Sequence, residues 1–440
     1  MTNSTIHLTG GIDVGNGYVK GVVRDQTGVI DTVDLPSAVT STSRSTPKVP
    51  LPDTDAYTTV VDGDFFNMLD ASLSTPLVAH ADRRIFGRAA LFTPGSKFTE
   101  FEVIGRHSKA DQELSKVLTL GVFAATALRS YLRENKTLPD HELSVDIRAG
   151  LALPISEYVS RRSAFAAELT GLDKNAPTPH LVTIKNFATL VTLRLRFIDV
   201  QVLPEGASAQ FAITDKGEPL AEALLADLRA GGSNAGSASA RVLEGITAAD
   251  LVAVRNTIGI DLGEGTCNFP VFTDGTFNAE AAGTLEQGFG TALTNAMERM
   301  AEADNTLIFN SRKQLADFLQ QPPSSLQRAR WSRAVAYVEE ESGYLVEDIC
   351  SRFADVLSRA SATTEVVYVY GGGSGPIKHL LWPAVRKVAG DIPVLYLDAR
   401  YSRHLNREGL FIAASTVQER ADRAEQLKAS TSAKKTAQMA

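Results

Sequence analysis

The sequence predicts a two-lobed α/β protein built around a cleft, on three observations. The chain has 440 residues, too many for one ordinary hydrophobic core, so two or more lobes are expected. Apolar strands alternate with helical segments, the rhythm of α/β architecture. A strand that ends in Asp-x-Gly and turns straight back occurs twice, as "GGIDVGNGYVKGVV" from Gly10 to Val23 and "TIGIDLGEGTCNFPVF" from Thr257 to Phe272.

The first segment reads strand, tight turn, strand through "HLTGGIDVG", "YVKGVVRD" and "GVIDTVDLP". From Ser37 to Pro52 the text turns to Ser, Thr and Pro and predicts a loop. Short alternating runs from Tyr57 to Phe101 predict a small strand-rich subdomain. "ADQELSKVLTLGVFAATALRSYL" has apolar residues at helical spacing and predicts a long buried helix. "HELSVDIRAGLALPI" reads as a strand ending at Pro154, and "HLVTIKNFATLVTLRLRFIDVQVLPEG" as strands of the same sheet.

The rhythm then breaks. Residues 214–255 predict a helix-loop-helix insertion, with apolar positions Leu220, Leu224, Leu225 and Leu228, then Val242, Ile246, Leu251 and Val252. Its middle, Ala230 to Ala240, is rich in Gly, Ser and Ala and reads as a mobile loop. Helices follow from Thr291 to Arg359, then a strand, "TEVVYVYGGGSG". The organisation expected is a first lobe over 1–205 with the small subdomain at about 35–100, a second lobe over 206–398, a return to the first lobe over 399–417, and a polar tail over 418–440 whose end is disordered.

Composition removes several function classes. Hydrophobic residues make up 44% and charged residues 22%, the balance of a soluble globular protein. A formal net charge of -7 argues against direct nucleic-acid binding over a broad basic face. Cys267 and Cys350 form no disulfide framework and suit a reducing compartment. The start "MTNSTIHLTG" lacks a signal layout, the stretch Val117–Leu128 is too short to span a bilayer, and neither end shows an apolar stripe. A cytoplasmic protein without membrane attachment is expected.

Glycine after a strand frees backbone N–H groups to line a phosphate, and a carboxylate beside it can hold a hydrated Mg²⁺. Asp13, Gly15, Asn16, Gly17 and Lys20 form one such set; Asp261, Gly263, Glu264, Gly265 and Thr266 form another. Gly371, Gly372, Gly373 and Ser374 make a third glycine turn, where a nucleoside can lie against bare backbone. One Asp-x-Gly turn alone is usually only a hairpin, and Lys20 alone also fits a solvated strand-end charge. Three such turns, each after an apolar strand, are harder to dismiss. No G-x-G-x-x-G stands at the first turn and no P-loop motif exists, so the Rossmann and Walker classes are out.

The order of these motifs resembles the actin, sugar kinase and heat-shock chaperone superfamily. "GIDVGNGYVKG", "IFGRAAL", "GLALPISEY", "VLPEGASAQ" and "YGGGSGPIKHL" are most similar to bacterial actin-like proteins of the ParM/StbA type, including plasmid- and prophage-borne relatives such as those of the AlpC type. The resemblance reaches to about Ile412. It implies the actin-like ATPase fold, two lobes each with a mixed sheet flanked by helices and a nucleotide in the cleft between them. It implies ATP (GTP is the alternative) with Mg²⁺ as cofactors, Asp13 and Asp261 holding the metal through water, Lys20 reaching the β- and γ-phosphates, and Glu205 activating water. Glu205 also fits an acid placed for the dipole of a helix start. The implied partners are further copies of the same chain in a filament and a DNA-binding adaptor. Two departures stand out: Asn268 occupies a position where the family has Asp or His, and the interval from Glu205 to Asp261, 261 − 205 = 56 residues, is long. A small-molecule kinase of the same superfamily is the alternative. A chaperone ATPase would need a substrate-binding domain after Ile412.

Overall fold

The computed structural model describes residues 5–42, 49–93, 98–99, 108–173, 176–232, 245–360 and 362–416. Among these, ten strands form a first sheet: β1 (Ile6–Val14), β2 (Tyr18–Arg24), β3 (Ile30–Pro36), β4 (Val39–Thr42), β5 (Asp70–Ser74), β6 (Arg83–Phe86), β7 (Phe98–Thr99), β8 (Leu143–Leu153), β9 (Pro179–Ile184) and β10 (Val191–Pro204), in the order β3-β2-β1-β8-β10-β9-β5-β6-β4-β7. The second sheet holds β11 (Thr257–Leu262), β12 (Cys267–Phe269), β13 (Val271–Thr273), β14 (Thr276–Phe277), β15 (Gly283–Leu285), β16 (Val366–Tyr370) and β17 (Val394–Tyr396).

The two sheets share one plan. β1 folds back on β2 as an antiparallel hairpin and pairs β8 in parallel, and β8 pairs β10 in parallel. β11 folds back on β12 and β13 and pairs β16 in parallel, and β16 pairs β17 in parallel. Pro270 has no N–H and breaks the returning arm into β12 and β13, while its carbonyl still accepts from Gly259 N at 2.8 Å. Every residue of β11 and β16 is buried, which is why both read as near-continuous apolar runs. β8 alternates buried and half-buried residues along its first half.

The helix Glu113–Asn135 is buried nearly all round, and Phe123 meets Phe197 of β10 edge-on at 5.6 Å. Two other helices link the lobes. One begins at Ala207, directly after β10; the other runs over 405–416. They cross with no room to spare, since a Cβ on Gly409 would overlap the Ser208 carbonyl. The 405–416 helix also lies on Gly11 of β1 and Gly150 of β8, where added side chains would collide with Phe411 and Leu410 backbone.

Two local expectations are corrected. The Ser37–Pro52 stretch contains a strand, β4, held by β6 and β7. The 57–101 region is mixed, with helical turns at Thr58–Asp62 and Phe65–Asn67 and a short helix at Gly87–Leu91. The first half of the insertion is a helix of its own, as expected: the helical stretch Ala207–Gly232 is broken at Gly217, whose backbone is non-helical (φ 56°), and the second helix starts just after it with Pro219 near its beginning. β13, β14, β15 and β17 are too short for periodicity to reveal.

Leu220, Leu224, Leu225, Leu228 and Leu251 pack with Val366, Tyr368 and Leu395, so the insertion's greasy face covers the second sheet. Val252 is exposed. Val242, most of the Ala230–Ala240 loop and the 418–440 tail lie outside the described residues. No described helix is long and apolar enough to cross a membrane.

Candidate functional site

Each hairpin is built the same way. Gly15 N donates to Tyr18 O at 3.0 Å, and Gly263 N donates to Thr266 O at 2.8 Å. Asp13 stands opposite Lys20 on β2, and Asp261 stands opposite Asn268 on β12. Ser37 staples the first turn, its N–H on Gly17 O at 3.0 Å and its hydroxyl on Gly15 O at 2.6 Å. The helix Phe289–Ala303 staples the second, with Phe289 N on Gly263 O at 3.1 Å and Gly290 N on Glu264 O at 2.8 Å.

The turns face each other. A Cβ on Gly17 would overlap the Glu264 carboxylate, and one on Gly265 would overlap the Asn16 amide. The third glycine turn closes the same space. Gly371 has φ 96°, and a side chain there would strike Leu262 backbone and Asp261. A Cβ on Gly372 would lie 3.8 Å from Lys20 Nζ, and Gly373 N donates to Leu262 O at 2.8 Å. The Ser374 side chain is buried and donates to Gly371 O at 2.9 Å, so it shapes the turn.

Charge is unevenly distributed. Asp261 is buried and accepts from Asn406 Nδ2 at 2.8 Å. Burial, with the Asp13 and Glu205 carboxylates, pushes its carboxyl up to about 7, against the pull of Asn406 and Lys20. Glu264 pairs with Arg312 Nε at 3.3 Å. Glu205, also buried, pairs with Lys109 and accepts from Asn268 Nδ2 at 3.3 Å. Burial pulls the Lys109 ammonium down, and the carboxylates of Glu205 and Asp13 outweigh it, leaving Lys109 above its ordinary value. Burial likewise raises Glu286, beside Glu157 and Glu205.

The structure therefore brings all three glycine turns together, with Glu205 in contact with Lys109 of the first lobe and Asn268 of the second. Sequence reasoning missed Lys109, Asn406 and Arg312. Lys109 sits in the polar run "HSKAD" before the long helix and carries no motif. Asn406 comes from the return helix, 145 positions from Asp261, with no local signal at all. Cys267 is fully buried in the second core, a packed side chain.

Among the described residues, no three His, Cys, Asp or Glu side chains converge as a metal cage. Mg²⁺ keeps most of its waters and needs only one or two carboxylates, so Asp13 and Asp261 fit it through water. The glycines let the turns approach one another closely, Gly17 against Glu264 and Gly265 against Asn16, and backbone N–H groups of such turns are of the kind that take phosphate oxygens.

No family model matches the sequence, and no curated protein matches it. Solved structures do match the fold. The actin-like protein Alp7A is 14% identical with a TM-score of 0.62, over 96% of this chain and 100% of that one. The archaeal actin homologue Ta0583 in complex with ADP is 14% identical with a TM-score of 0.54, over 93% of this chain and 99% of that one. A pCBH ParM non-polymerisable quadruple mutant is 14% identical with a TM-score of 0.54, over 93% and 99%. The likeness is one of fold: this chain has the two-lobed actin-like fold that its motifs suggested.

Proposed function

We propose that this chain is a nucleotide-driven filament protein that binds ATP with Mg²⁺ between its lobes and hydrolyses it. The observation that carries the reading is the apposition of the two Asp-Gly hairpins, Asn16 against Gly265 and Glu264 against Gly17, beneath a third glycine turn. Backbone N–H groups of the Gly15–Gly17 and Gly263–Thr266 turns would hold phosphate oxygens, and Lys20 would add a charge-assisted contact to the β- and γ-phosphates. The 371–374 turn would take the nucleoside. Bound Mg²⁺ supplies neutralisation of charge developing on the phosphates. Asp13 and Asp261 would hold it through its waters, and Glu205 would orient the attacking water and take its proton.

Nucleotide in the cleft binds both lobes and so favours the closed arrangement, which sets the subunit contacts of a filament. An ADP complex and a non-polymerisable mutant among the similar structures fit this reading. The ParM-like motifs extend it to moving plasmid or prophage DNA. At a net charge of -7 that role needs a DNA-binding adaptor.

The test is sedimentation and light scattering of the purified protein with Mg·ATP, Mg·GTP or no nucleotide, with phosphate release followed in parallel. Nucleotide-dependent pelleting with phosphate release is expected. Phosphate transfer to a small acceptor without assembly would replace the filament with a kinase.

A further inference from the structure

We propose that Lys109 is a positioning residue for hydrolysis, fixing the Glu205 carboxylate between the two lobes. The inference rests on the reading that Glu205 acts on water.

Glu205 is held from both sides. One carboxylate oxygen pairs with Lys109 of the first lobe, and the other accepts from Asn268 of β12 in the second. Asn268 is itself oriented, because its Oδ1 accepts from Thr284 Oγ1 at 2.9 Å and so turns its N–H₂ toward Glu205. Lys109 is 7% exposed and Glu205 8%. An ammonium buried that far is costly unless it is paired, so a merely solvating lysine would not sit there.

The backbone around Lys109 is fixed as well. Glu157, on the helix Ile155–Thr170, accepts from Ser108 Oγ at 2.7 Å, Lys109 N at 2.8 Å and Ala110 N at 3.0 Å. Lys109 thus enters on a clamped turn, with Asp13 as a second carboxylate in its field. Paired on both oxygens, Glu205 keeps one rotamer. A base held within reach of one water gains rate through orientation, not through substrate affinity.

The variants are Lys109→Met, Lys109→Arg, Glu205→Gln and the Met/Gln double. The readouts are affinity for Mg·ATP, single-turnover phosphate release, and thermal unfolding of nucleotide-free protein. Lys109→Met should slow release roughly thirtyfold and change affinity less than about threefold, with Lys109→Arg recovering most of the rate. In the Glu205→Gln background, Lys109→Met should add less than about twofold. Without nucleotide, Lys109→Met should melt below wild type, and the double variant should regain much of the loss because the Glu205 charge that Lys109 paired is gone as well. Should Met prevent folding, Lys109→Gln gives the same ratios. Loss of affinity exceeding loss of rate would make Lys109 a phosphate ligand and overturn the proposal, as would equal rate losses in both backgrounds. A slow Glu205→Gln beside a wild-type Lys109→Met overturns this inference alone. A wild-type rate for Glu205→Gln overturns the reading of Glu205 and this inference with it.

Discussion

The two Asp-Gly hairpins have the same backbone and opposite electrostatics. In the first, Asp13 faces a cation, Lys20, across the ladder. In the second, Asp261 faces a neutral amide, Asn268, and Glu264 at the turn brings a further negative charge that Arg312 offsets. One side of the cleft therefore offers positive charge to an anion, while the other stores a buried carboxylate without a local counter-ion. On the proposed reading, the repeated fold plan is divided into a side that would suit phosphate and a side whose buried carboxylate would gain from a cation.

The sharpest way to break that contrast is Asp261→Ala. It removes the carboxylate that most needs a cation, and turnover should fall a few hundredfold, the scale of losing one key electrostatic group. Phosphate release at saturating Mg·ATP measures it, and wild-type turnover would show that the cleft is misassigned. Glu205→Ala comes next. It touches the second hairpin through Asn268 and acts on water, so hydrolysis should slow about a hundredfold while nucleotide affinity holds and filaments live longer. Binding lost in place of rate would make Glu205 structural.

A smaller effect tests the stored charge itself. Asp261, raised to about 7, binds a proton more tightly folded than unfolded, so nucleotide-free stability should fall as pH rises from about 4 through 7. Asp261→Asn removes that charge. Without nucleotide it should be more stable than wild type at pH 8 by on the order of 2 kcal/mol, and the two should converge near pH 4. Calorimetry at both pH values decides, and a constant offset would refute the account. The smallest effect belongs to Arg312→Met. Its pair with Glu264 is partly solvated and is worth under about 1 kcal/mol, so urea midpoints should move little.

Much of this site was legible locally. Asp13 and Asp261 each close an apolar strand just before a glycine turn, and chain neighbours alone produce that geometry. The Glu113–Asn135 helix and the parallel strand pair β11 and β16 were visible because burial leaves a run of apolar letters. Gly217 and Pro219 are breakers on local rules and do divide the stretch Ala207–Gly232 into two helices, and packing of Ile213 and Leu220 holds both on the second sheet.

Local chemistry thus settled the pieces: two carboxylate hairpins, a third glycine turn, a buried helix and the carboxylate at the start of the connecting helix. Their partners are of another kind. Lys109 and Glu205 are 96 positions apart, and Asn406 and Asp261 are 145 apart. Periodicity and turn chemistry report interactions within a few residues. Which cation meets which carboxylate across a cleft depends on how two sheets are hung on crossing helices, and here that crossing, Gly409 against Ser208, leaves room for no side chain.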